Sequence, residues 1–96
     1  MTERTSTFLM ANLGSEVSRY LSYIEKKDSV QAQKCRERAE KIIAELKAQP
    51  DMSKRTAELV VLEKVLDDFS SDTRVYEVSP TTLRNYFLPF ALRVMS

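Results

Sequence analysis

Apolar residues recur along this chain at intervals of three and four, the spacing that stacks side chains on one face of an α-helix. Leu9, Leu13, Val17, Tyr20 and Ile24 make one such stripe, with Met10 and Leu21 beside it, and predict a helix over about 5–27. Ala32, Cys35, Ala39, Ile42 and Leu46, with Ile43 at the margin, make a second, narrower stripe over 29–48. Leu59, Leu62, Val65, Leu66 and Phe69 make a third over 53–69, its arc widened by Val61. The fourth segment, 79–95, carries two stripes. Leu83, Phe87, Phe90 and Val94 share one face, and Leu88, Leu92 and Met95 lie more than a quarter-turn away.

The residues between the stripes mark starts and stops. Lys26-Lys27 suits a helix carboxyl end, and Asp28 can then cap a second helix with Gln31 three residues on. So short a link makes the first two helices antiparallel neighbours. Gln49-Pro50-Asp51 ends the second helix, because proline cannot continue it, and Asp51 or Ser53 is placed to cap the third. Ser79 can cap the fourth, with Pro80 at its first position and Val78 stapled onto Leu83. Pro89 lacks an N–H and crowds the preceding turn, which predicts a kink costing about 3 kcal/mol that packing must offset. Gly14-Ser15 interrupts the first stripe, where one continuous helix is preferred to a separate initial piece. Val75, Tyr76 and Val78 read as a packed connection, since a lone strand has nothing to pair with. The fold class that follows is all-α. It is a single domain, 1–96, a small and mostly antiparallel four-helix bundle with a Pro-kinked hydrophobic C-terminal helix. The fourth helix, reached by the longest connection, is expected to be enclosed by the other three.

Charge narrows the partners. Fifteen basic residues against fourteen acidic ones leave a net charge of +1, so no global field draws in nucleic acid or an acidic membrane. The outer face of the second helix alternates Lys34, Arg36, Glu37, Arg38, Glu40, Lys41, Glu45 and Lys47, a solvated pattern in which Glu37 and Lys41 are a favourable i,i+4 pair. One cysteine allows no internal disulfide, and the opening residues show no basic segment leading into an apolar run. A cytoplasmic location is the expectation. The last apolar run is too short to span a bilayer, which takes about 20 residues.

Candidate chemistry is sparse. There is no histidine and a single glycine, which removes His-based metal sites, Ser-His and Cys-His nucleophiles and a Gly-rich phosphate loop. The expectation is therefore no enzyme, no cofactor and no metal. Cys35 lies between Ala32 and Ala39 on the apolar stripe, where a small inert thiol belongs. Glu63, Asp67, Asp68 and Asp72 concentrate negative charge. Paired carboxylates can hold a cation, but a solvated face or a salt bridge to Arg74 is the simpler account. The tyrosines 20, 23, 76 and 86 are read as packed rings with their hydroxyls at the rim rather than as a base-stacking surface.

Val78-Ser79-Pro80-Thr81-Thr82-Leu83-Arg84-Asn85-Tyr86-Phe87 resembles the turn and recognition helix of TetR-type helix-turn-helix repressors. The resemblance covers ten residues and departs from the family pattern at Glu77, where glycine is usual, and at Arg84, where tyrosine is usual. It implies that Thr81, Thr82, Arg84 and Tyr86 approach DNA. In that family the motif precedes a large helical domain, whereas here it ends the chain, and a cap with a staple accounts for the same residues. The leading expectation is accordingly a helical interaction or assembly module that pairs with itself, or with another helical protein, through Leu88, Leu92 and Met95. A small helix-turn-helix DNA-binding regulator stands as the alternative.

Overall fold

The computed structural model describes residues 5–69 and 79–95, the last three of them for their backbone alone. The expected connection through Val75, Tyr76 and Val78, and the positions of Asp72, Arg74 and the Met95 side chain, lie outside the described residues. The described residues form four α-helices: α1 Ser6–Glu25, α2 Ser29–Lys47, α3 Thr56–Phe69 and α4 Pro80–Met95, with a 3-10 segment Pro50–Arg55 before α3. The fold is the expected small all-α bundle.

Each start has a physical cause. Thr5 Oγ1 accepts from the Phe8 N–H at 3.1 Å, Asp28 Oδ1 from that of Gln31 at 3.1 Å, and Ser79 Oγ from that of Thr82 at 3.1 Å. Side-chain caps of this kind satisfy amide groups that the first turn leaves open. The end of α1 is equally defined. Lys27 takes φ 60°, and its N–H and that of Asp28 reach back to the carbonyls of Ile24 and Tyr23 at 3.1 and 2.9 Å. This paired closure turns the chain through one left-handed residue straight into the α2 cap, and α1 and α2 pack side by side.

The third helix begins later than its sequence suggested. Neither Asp51 nor Ser53 caps an α-helix at 53; Pro50–Arg55 is a 3-10 segment instead. The Asp51 carboxylate accepts from Ser6 Oγ at 2.8 Å and so ties this segment to the start of α1. Within this segment Met52 points inward, where it is buried.

All the core residues expected on α2 are buried, as are Leu59, Leu62, Val65, Leu66 and Phe69 of α3. Val61 is the exception, standing exposed instead of widening the core arc. Arg36, assigned to the solvated face, is buried. It spans to α3, with Nη2 at 2.6 Å from Asp67 Oδ1 and Nε 3.1 Å from Glu40 Oε1. The register expected for Glu37 and Lys41 is occupied by Arg36 and Glu40, while Glu37 accepts from Gln33.

The central helix is α1, not α4. Leu9, Met10, Leu13, Val17, Tyr20 and Leu21 are all buried, and α1 packs along both α2 and α4. Gly14 marks the closest approach to α4: a Cβ added there would stand 2.6 Å from Phe87 Cβ. The residue that looked like a break in α1 is thus where the two helices touch, and α1 runs through it without interruption. Tyr20 joins α1 to α3 by donating its hydroxyl to the Leu66 carbonyl at 2.9 Å.

Candidate functional site

The sequence puts two apolar stripes on α4, and the structure treats them differently. Leu83, Phe87 and Phe90 are buried in the common core. Leu88 and Leu92 stand 52% and 57% exposed, one turn apart on the opposite side. The helix continues through Pro89.

Contacts from α1 and from the 3-10 segment fix which face α4 turns outward. Phe87 sits against Gly14 at a distance that only a glycine permits. Tyr86 packs edge-on to Phe87 and Phe90, with centroids 4.9 and 6.2 Å away, and Arg55 lies 5.4 Å over the Phe90 ring. Arg55 is itself held by Glu58 through two hydrogen bonds of 2.9 and 2.8 Å, which raise its pKa and keep the guanidinium charged. At the other end Arg84 donates to Ser22 Oγ at 3.4 Å and lies 3.7 Å from Glu25. Together these contacts prevent α4 from rolling its leucines inward.

A groove of about 210 Å³ runs beside Leu88, walled by Ala11, Ser15 and Ser18 of α1 and by Arg84 and Ala91 of α4. Small side chains keep it open. The exposed leucine pair thus stands next to a hollow lined largely by short side chains.

The residues of the DNA-binding alternative are split by the fold. Thr81 is exposed, Thr82 shares its hydroxyl with Ser79 at 2.8 Å, and Arg84 and Tyr86 are half-buried in the contacts above.

Two acidic residues of α3 serve α2. Glu63 pairs with Lys47, Asp67 pairs with Arg36, and Asp68 is buried. Among the described residues no group of three or more Cys, Asp and Glu is placed to hold a metal ion. A cavity of about 710 Å³ opens near the C-terminal ends of α1 and α3 beside Tyr20, Tyr23 and Phe69, and the Arg36 that lines it is already engaged by Glu40 and Asp67. No helix among the described residues is long and apolar enough to cross a membrane.

Glu16 is the residue that stripe reading passed over. Its carboxylate is buried and accepts from Arg19 Nη1 at 2.8 Å and Arg38 Nε at 2.6 Å. Arg38, whose pKa is raised chiefly by that hydrogen bond, also places Nη2 3.2 Å from Cys35 Sγ. The i,i+3 spacing to Arg19 is local, but no local pattern announces the pairing with Arg38, because the two helices meet only in the fold.

Comparison of the chain with protein-family models, characterised proteins and solved structures returns no match.

Proposed function

We propose that the chain is a non-enzymatic interaction or assembly module that pairs with a second copy of itself through the outer face of α4. The observation that carries this reading is the exposure of Leu88 and Leu92, each above one half, on a helix whose other face is locked into the core. Large aliphatic side chains grouped on the surface of a small domain commonly mark a partner surface. Two-fold pairing is the commonest way for one patch to meet its own copy, and here the groove beside Leu88 offers the hollow that a partner leucine needs.

Burying the exposed halves of two leucines contributes roughly 2–3 kcal/mol per protomer. Stable interfaces bury about 800 Å² on each partner, so pairing also draws on the adjoining α1 face around Ala11 and Ser15. The association is therefore reversible. A cytoplasmic location belongs to the same reading, since the free Cys35 thiol is at home in a reducing compartment.

The test is Leu88→Glu combined with Leu92→Glu, followed by light scattering and circular dichroism. A seam gives a folded monomer from a wild-type dimer. A wild-type chain that already runs as a monomer at about 1 mM, where even a weak pair of about −4 kcal/mol is half formed, removes the proposal.

A further inference from the structure

Glu16 is a carboxylate with only 8% of its side chain exposed, and its two oxygens are taken by Arg19 of its own helix and Arg38 of α2. Arg38 alone would suffice to tie α1 to α2. Arg19 adds a second cation to the same carboxylate, and Lys41, one turn along α2 from Arg38, has no ion-pair partner among the described residues. These three cations and one anion line a cleft of about 400 Å³ between α1 and α2, with Asn12 and Ser15 at its α1 wall. The cleft carries an excess of two positive charges. With these four residues set aside, twelve basic side chains stand against thirteen acidic ones in the rest of the chain.

We infer that this cleft binds a small phosphoryl anion, with Arg19, Arg38 and Lys41 as its donors and Glu16 as the residue that positions the two guanidiniums. Arginine's planar fork matches phosphate oxygens, and a charge-assisted hydrogen bond is about twice as strong as a neutral one. Arg19 and Arg38 are 63% and 51% exposed, so donors not directed at Glu16 remain open to a ligand. A guanidinium already fixed by Glu16 loses less freedom when the ligand arrives. A small ligand fits the cleft's volume of about 400 Å³, and with the net charge outside it close to balance the chain as a whole lacks the basic excess that a polymer backbone draws on. The cleft meets the groove beside Leu88 at Ser15, but Arg19, Arg38 and Lys41 do not line that groove, so their variants test the anion site apart from the dimer.

Isothermal titration of the full chain with inorganic pyrophosphate and with inorganic phosphate, at constant ionic strength in chloride, tests this. Saturable one-to-one binding is expected, tighter for pyrophosphate. Arg19→Ala and Lys41→Ala each weaken it about fivefold, the scale of one solvent-exposed charge contact. Lys64→Ala, at an exposed position on α3, leaves it within about twofold. No saturable heat up to about 10 mM pyrophosphate, or an equal loss from Lys64→Ala, overturns the site. Cosedimentation with vesicles distinguishes the sources. Pelleting with phosphatidic acid but not with phosphatidylserine of matched charge assigns a lipid headgroup, and retained pyrophosphate binding without pelleting assigns a soluble phosphate. Equal pelleting on both lipids shows unspecific charge attraction and overturns the inference.

Discussion

Replacing Gly14 with alanine sets two effects of opposite sign against each other. In an exposed helix, alanine is favoured over glycine by about 1 kcal/mol because the unfolded glycine has more freedom to lose. At this position the new methyl would stand 2.6 Å from Phe87 Cβ, 2.9 Å from Cγ and 3.3 Å from Cδ1. Carbon atoms rest at about 3.5–4.0 Å, so α4 must retreat by roughly 1 Å. Forcing a methyl group into a packed interior costs about 1–3 kcal/mol. The net expectation is a loss of about 1 kcal/mol, equivalent to about 4–8 °C in Tm for a domain of this size. Rotating the Phe87 side chain gives no relief, because the nearest atom is its Cβ, which moves only with the backbone of α4. Urea unfolding followed by helix circular dichroism provides the readout: the midpoint should fall with the slope unchanged. A midpoint that rises by the amount expected for helix propensity alone would refute the close contact between α1 and α4.

Cys35 is fully buried, so a thiol reagent should react with it only after denaturant is added, and equal rates in the two conditions would count against the core assignment. Lys27 holds φ 60°, a conformation that costs about 1–2 kcal/mol for a residue with a Cβ. Lys27→Gly removes that cost but adds unfolded-state entropy worth about 0.5–1 kcal/mol, so a net gain of up to about 1 kcal/mol is expected in thermal melts. Lys27→Val should be clearly less stable than the parent, and a variant of equal stability would mean that the left-handed closure of α1 does not form.

Periodicity made the helices legible before any coordinates. The stripes at Leu9 to Tyr20, Ala32 to Leu46, Leu59 to Phe69 and Leu83 to Phe90 are each buried, because alternation between apolar and polar positions records which side faces water. Polar residues that find partners across the fold leave no such record. Arg36 reads as one more charge in an alternating run, yet it is buried because Asp67 lies across from it on α3. Glu16 reads as the outer neighbour of Val17, and its second partner is 22 residues away. The start of α3 departs from its sequence signal for a related reason: Asp51 has the chemistry of a cap, but its carboxylate is engaged by Ser6. Of the surface expected to join two copies, Leu88 and Leu92 are outward-facing.

Why those leucines face outward follows from which helix occupies the centre. Pairing α1 with α2 through a left-handed closure leaves α1 one free flank, and Gly14 on that flank admits α4 at close range. Tyr20 and the 3-10 segment attach α3 elsewhere, through the Leu66 carbonyl and the bond from Ser6 to Asp51. The fourth helix therefore lies at the side of the bundle, packed along α1 and latched by Arg55, rather than among three neighbours. A helix packed along one principal neighbour buries one stripe, and α4 has two. Had α4 occupied the centre, Leu88 and Leu92 would have been core residues, and a charge at either would unfold the chain. In the observed arrangement a glutamate at these positions enters water at little cost to the monomer. The double substitution thus probes association separately from folding.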